Sequence, residues 1–289
     1  MKLVALTLAR NEDWILGMTG RIALRWCDAW VVVDHASQDG TCSIVRQIAD
    51  EHPGRVHLHH WPHAEQWDEM DARDFSLAKG REAGGTHFAI VDSDEFLTAN
   101  LLGQVRPMCE SLKDGQLLDL PMIPAWRALT RYRDDLSVWS HAWLTLAFKD
   151  VPGLIWKVGE GGYQHHNRPP CGAREARRYL GDKRYGGVVH AQFANWRRLK
   201  AKHALYPMVD HLRWPGRESV KELNRKYAQA LDETGLVTTA CPPDWLESYH
   251  GLIGDYFHPE GVPWQEKEIE RLIARHGRGA FADLDLKGF

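Results

Sequence analysis

The sequence has no apolar run approaching the ~18 residues that a helical membrane span requires, and no glycine-, serine- or proline-rich stretch that reads as a linker. The first absence excludes a protein threaded through a bilayer as helices. The second, with glycine and proline scattered without a period, excludes collagenous and low-complexity classes. Cysteine is sparse: five residues, at positions 27, 42, 109, 171 and 241, form no Cys-x-x-Cys pair, and their number is odd. A disulfide framework is therefore not expected, and reduced thiols in a cytoplasmic protein are. No charge of one sign dominates, since 36 Lys and Arg face 39 Asp and Glu for a net −3. That excludes a purely electrostatic nucleic-acid binder. The opening run LVALTLA is short and meets Arg10, Asn11, Glu12 and Asp13 at once, so it is not expected to act as a secretory signal.

The 289 residues are 44% hydrophobic and 26% charged, a composition that buries a full core in one large domain or two packed ones. The first third alternates two periodicities. LVALTLA (3–9), AWVVVD (29–34), RVHLHHW (55–61) and HFAIVD (87–92) are short apolar or alternating runs, read as strands. Between them Ile15, Met18, Ile22 and Trp26 recur at helical spacing, as do Ile44, Val45 and Ile48, and a third helix is expected over 64–83. Strand–helix alternation predicts an α/β fold: a mostly parallel, Rossmann-like sheet flanked by helices. Further along, WLTLAFK (143–149) and GLIWKV (153–158) read as strands of a mixed sheet, and GVVHAQF (187–193) as a short strand ending in histidine. Helical patterns dominate from Gln192, ending in WQEKEIERLIARH with Ile269, Leu272 and Ile273 inward. Three parts are expected: 1–125, a nucleotide-binding half; 126–215, facing the acceptor; and 216–289, a helical C-terminal region.

Ligands of an open parallel sheet sit beyond the carboxyl ends of its strands. Those ends carry Glu12, then Asp34 and Asp39, then Asp92-Ser93-Asp94-Glu95. Any one of these could cap a helix or form a turn, but together they concentrate carboxylates on one edge. Asp92 and Asp94, two apart just past a buried strand, can share one hard cation. Mg²⁺ or Mn²⁺ takes oxygen ligands, and a diphosphate supplies the rest.

Three motifs in order carry a family resemblance: LTLARNEDWIL, VVVDHASQDGT, and DARDFSLAKGREAGGTHFAIVDSDEFL. They resemble the opening strand, the second strand with its Ser-x-Asp-Gly-Thr turn, and the helix and Asp-x-Asp strand of glycosyltransferase family 2, of the GT-A fold. The resemblance is firm over about the first third of the chain. It implies that Ala9, Glu12 and Asp34 contact a nucleoside, Arg73 lies near the phosphates, Asp92 meets ribose and metal, and Asp94 is the principal metal ligand. It also implies a UDP-sugar as the favoured donor. Asp74, where the family has Asn, and His35, where Asp or a small residue is frequent, depart from the pattern.

An inverting transfer needs a base opposite the leaving diphosphate. The glycine-rich segment 155–170 offers Glu160, with His165 and Asp210 as alternatives. By analogy with GT-A enzymes, His190 is a candidate third metal ligand. Nine Lys and Arg fall between Arg174 and Lys202 against two acids, a segment suited to clamping a diphosphate or meeting an anionic acceptor such as a lipid headgroup, a phosphorylated glycan or DNA. The histidines at 57, 59, 60 and 63 lack cysteine partners at zinc-finger spacing and read as structural. The expected function is a metal-dependent, inverting glycosyltransferase acting on an acceptor hydroxyl of a glycan, lipid-linked saccharide or modified nucleic-acid base. A nucleotidyltransferase is the nearest rival, though ARNEDW lacks the glycines of a phosphate loop. A non-catalytic nucleotide- or sugar-binding module is the other.

Overall fold

In the computed structural model, residues 1–63, 68–157 and 168–289 are described. The chain opens with β1 (Leu3–Ala9), α1 (Leu16–Ala23), β2 (Ala29–Asp34), α2 (Thr41–Glu51), β3 (Val56–His60), α3 (Glu69–Glu82), β4 (His87–Ile90) and β5 (Glu95–Leu97). It continues through α4 (Leu102–Glu110), β6 (Leu117–Pro124), β7 (Arg131–Arg133), β8 (Trp143–Lys149), β9 (Ala176–Arg177) and β10 (Val188–His190). The last elements are α5 (Trp196–Arg213), α6 (Val220–Ala228), β11 (Thr238–Ala240), α7 (His250–Tyr256) and α8 (Trp264–His276).

The α/β class is as expected. One large sheet runs β3-β2-β1-β4-β8-β6-β10-β5, with β9 beside β6, and β7 and β11 form a separate antiparallel ribbon. The first four strands are parallel, and the direction reverses at β8, which is antiparallel to both β4 and β6. Side chains of a strand alternate between faces, and β1 shows it. Leu3 and Ala5 enter a core with Trp30, Val32, Val45 and Ile48 under α1 and α2. Val4 and Leu6 enter another with Val31, Phe88, Met70 and Leu77 under α3. Both faces are thus covered, which is why β1 and β2 are almost wholly apolar and buried. The C-terminal helices α5, α6 and α8 share a third core around Leu205, Met208, Leu223, Tyr227, Ile269 and Leu272.

Three local features position the site. β10 is parallel to β6 and antiparallel to β5, so strands from beyond residue 125 complete the sheet begun before it. A Cβ on Gly187 would stand 2.1 Å from the Pro121 carbonyl oxygen, so only glycine lets the chain entering β10 lie this close to β6. Asn11, with φ +55°, turns the chain sharply after β1.

One strand expectation fails. Among its described residues, 153–157, GLIWKV contributes a single bridge, Ile155 with Cys171, and no strand. Asp74 accounts for it: its carboxylate accepts the backbone N–H groups of Trp156 (2.7 Å) and Lys157 (3.0 Å), donors that a ladder would have used. This also gives a structural use for the acid that departs from the family pattern. Buried Leu154 and Trp156 then pack under α3 with Phe148. The strand over 117–124 was hidden by Pro121 and Pro124, residues that disfavour strand interiors.

Candidate active site

The carboxyl ends of β1, β2 and β4 carry the expected acids. Ala9 ends β1 opposite Asp34 in register, and its carbonyl accepts the His35 N–H at 2.8 Å. The turns after β1 and β2 are laced together: Asn11 accepts the Gln38 N–H at 2.7 Å, and Thr41 accepts that of Glu12 at 2.8 Å. Asp39 belongs to this lacing, accepting the N–H groups of Thr41 (2.9 Å) and Asp13 (3.2 Å).

Asp34 is 2% exposed. Its Oδ2 lies 3.3 Å from both the Ser37 amide and the His60 ring, while buried Oδ1 has no hydrogen-bond partner among the described residues. An unpaired buried acceptor is costly, and Oδ1 fits a ligand N–H or hydroxyl donor. Glu12 accepts from the Trp14 indole at 2.6 Å. Burial, then the Asp94 charge, push its carboxyl up to about 7, against the pull of Arg198, Trp14 and Lys202.

Asp92 and Asp94 have different surroundings. Arg73, buried on α3, donates to Asp92 Oδ1 at 2.9 Å and to Glu69 at 2.8 Å. Arg168 donates to Asp92 Oδ2 at 3.1 Å, makes two bonds to wholly buried Glu95 at 2.8 and 2.5 Å, and reaches the carbonyls of Ile90 and Thr145. Burial alone would raise the Asp92 pKa, but the two guanidiniums hold it well below the usual carboxylate range. Among the described residues no arginine pairs with Asp94. Its Oδ1 lies 3.5 Å from His190 Nε2, both side chains 15% exposed, and its carbonyl accepts the Ala191 N–H at 2.8 Å, fixing the two segments together. Here too burial opposes ionisation, and His190, then Lys202, keep the carboxyl below its ordinary value.

The opposing charge comes from α5. Asn195 caps this helix, accepting the Arg198 N–H at 3.0 Å. Arg198 and Lys202 stand four apart and so share one face. The Arg198 guanidinium lies 4.8 Å from the Trp14 ring centroid, and its buried Nε has no hydrogen-bond partner among the described residues. Lys202 Nζ donates to Gln192 at 2.9 Å. Burial would discharge this lysine, yet Tyr206, Asp94, Glu12 and Asp92 hold its pKa above the ordinary value. Strand-end acids and helix cations therefore face one another.

The separation of Asp94 Oδ1 and His190 Nε2 suits two ligands of one divalent ion with bonds of about 2.1 Å. Asp92, each of whose oxygens carries an arginine, does not join them in a tight set: the three do not bring ligand atoms within 4.8 Å of one another. Glu160 and His165 lie outside the described residues. Asp210 is buried in α5 among helix contacts, accepting from the Tyr227 hydroxyl at 2.5 Å, so the structure does not bring it to the cluster. The basic segment is not one surface: Arg178, Lys183, Arg184 and Arg197 pair with Asp119, Asp134, Asp182 and Glu266. Only its last turns, with Arg198 and Lys202, reach the cluster. Sequence reasoning assigned no role to Glu95, Glu69 and Arg168; the four-residue spacing of Arg198 and Lys202 was the readable signal.

The sequence matches no protein-family model and no curated protein. Among solved structures it is similar to the mannosyltransferase PcManGT from Pyrobaculum calidifontis in complex with GDP-Man and Mn²⁺, at 17% identity over 97% of this chain and 77% of that one, TM-score 0.43. It is also similar to S. aureus TarS 1-349 in complex with UDP, at 17% identity over 49% of this chain and 43% of that one, TM-score 0.34. A third is glucosyl-3-phosphoglycerate synthase from Mycobacterium tuberculosis, in complex with Mn²⁺, UDP and glucosyl-3-phosphoglycerate, at 19% identity over 42% of this chain and 43% of that one, TM-score 0.29. The match thus spans less than half of the TarS 1-349 chain. No helix among the described residues is long and apolar enough to cross a membrane.

Proposed function

We propose that this protein is a metal-dependent, inverting glycosyltransferase that takes a nucleotide-diphosphate sugar, with a UDP-sugar favoured, and acts in the cytoplasm. The observation that carries the reading is the pairing of Asp94 and His190 beside Arg198 and Lys202, acid and imidazole for a cation next to cations for a diphosphate. Asp34, through Oδ1, and Glu12, with the Ala9 backbone, would hold the nucleoside. Arg73 and Arg168 would fix Asp92 where it meets the ribose and the edge of the metal site. A bound Mn²⁺ or Mg²⁺ would supply charge neutralisation on the departing diphosphate. Lys202 and Arg198 would add charge-assisted hydrogen bonds to the same phosphates.

In this reading the acceptor oxygen bonds to the anomeric carbon as that carbon's bond to the diphosphate oxygen breaks. The acceptor proton passes to Glu160. The acceptor is a hydroxyl on a glycan, a lipid-linked saccharide or a modified nucleic-acid base.

The test is a thermal-shift screen of nucleotide sugars with Mn²⁺, followed by assay of the released nucleotide. A ligand that binds only the folded state raises its melting temperature. Asp94→Ala should lose metal-dependent donor binding by at least about 100-fold, equivalent to roughly 3 kcal/mol. Unchanged donor affinity in that variant contradicts the reading. Release of pyrophosphate from a nucleoside triphosphate offered with a sugar phosphate, with no nucleoside diphosphate released from any nucleotide sugar, would favour a nucleotidyltransferase, and release of neither would leave a binding module.

A further inference from the structure

A second set of ligand-bearing side chains lies at the outer end of the same strand edge. Asp34 and His60 are register partners in the parallel pairing of β2 and β3. Cys42 is the second residue of α2, which starts in the turn after β2. The pairing and the turn bring one carboxylate oxygen, one imidazole nitrogen and one sulfur within 4.8 Å of one another. Nothing in the sequence spacing marks the group, since its members sit on three separate elements.

Two further observations point to a ligand. Asp34 is 98% buried, and its Oδ1 has no hydrogen-bond partner among the described residues. The His60 side chain is 58% exposed, leaving a path by which an ion can enter. The donor set decides the ion. Sulfur, imidazole nitrogen and one carboxylate suit Zn²⁺, with three protein ligands and one open position, and do not suit Mg²⁺, which takes oxygen.

We propose that Asp34, Cys42 and His60 form an inhibitory site for Zn²⁺, separate from the Asp94–His190 pair, whose occupation withdraws Asp34 from the nucleoside. The cation site stands on the three side chains alone; the exclusion of nucleotide rests on the assignment of Asp34 in the proposed function.

The experiment titrates the full chain with Co²⁺, whose thiolate charge-transfer absorption reports a sulfur ligand, and then displaces it with Zn²⁺. We expect the band to saturate at one equivalent, to persist in Asp94→Ala and to vanish in Cys42→Ser. Zn²⁺ affinity should fall at least about tenfold in His60→Gln, since even outer-shell partners are worth that much. UDP should weaken Zn²⁺ binding, and Zn²⁺ should weaken UDP binding by the same factor. A Co²⁺ spectrum without the thiolate band, or Zn²⁺ affinity unchanged in Cys42→Ser and His60→Gln, overturns the site. A normal band with Zn²⁺ affinity indifferent to UDP keeps the site and overturns the exclusion of nucleotide.

Discussion

The strand edge of the first hundred residues and the segment 168–213 build the two sides of one charged cluster by opposite means. On the strand edge, each acid arrives at the tip of a parallel strand, delivered by strand–helix units of similar length. Its position is a by-product of the fold's repeat. In the later segment, Arg168, His190, Arg198 and Lys202 come from a turn, a three-residue strand and a helix, with no repeat to place them. The acids tolerate mutual proximity only because the later segment supplies counter-charge. Asp92 is saturated by two arginines, whereas Asp94 has a histidine and a more distant lysine and keeps room for a ligand. Ion pairs here thus separate an acid locked by two guanidiniums from an acid paired with an imidazole.

The hardest blow to this division is Arg168→Met, which removes the cationic partner that the ion pairs among the described residues give Glu95 and one of the two that they give Asp92. Removing one member of a buried pair typically costs about 3–5 kcal/mol, and urea unfolding should show a loss of that size. A loss below about 1 kcal/mol would mean that the two sides are not electrostatically joined.

Glu12→Gln tests the same coupling from the acid side and has the opposite sign. A carboxyl raised from 4.5 to about 7 binds more protons folded than unfolded between those values, so its contribution to stability falls as pH rises through that window. The glutamine variant escapes the penalty. Above pH 7 it should be more stable than the parent by up to about 3 kcal/mol, and the two stabilities should converge below pH 4.5, with weaker donor binding throughout. Equal pH profiles for the two proteins would show that Glu12 is not held among the acids as the geometry indicates.

Lys202→Met sharpens the assignment of the helix side. A charged hydrogen bond is worth about 1.5–3 kcal/mol, so affinity for UDP should drop roughly 10- to 100-fold while affinity for uridine stays within error. Equal losses for both ligands would place Lys202 away from the phosphates. The smallest effect belongs to Asn195→Ala, which removes the cap of α5 and should cost about 1 kcal/mol by urea unfolding. If UDP affinity also falls, the helix end positions the cations; if it does not, packing against α6 and α8 does so alone.

Much of the fold was legible because its first third obeys local rules. LVALTLA and AWVVVD are strands with the bounds read from their sequence runs, since strands buried on both faces are nearly continuous apolar runs with sharp ends. α8 matches its stripe for the same kind of reason. GLIWKV misled because Asp74, some eighty residues earlier, captures its amide groups, and periodicity carries no trace of that bond. On the candidate site, residue types pointed to the strand tips of Glu12, Asp34, Asp92 and Asp94. The counter-charges did not stand out. Nine basic residues in one segment look alike until tertiary contacts assign four to acids outside the cluster and two to the cluster.

Local apolar patterning set the four parallel strands, their common direction, and the gathering of carboxylates on their carboxyl edge. These follow from side-chain alternation and burial, which act within a few residues. Tertiary structure alone decided which acid is locked and which is available, which cations face them, and that a cysteine and a histidine meet Asp34. Those outcomes depend on charges and ligands brought together from distant positions, and electrostatic energy follows distance through space rather than along the chain.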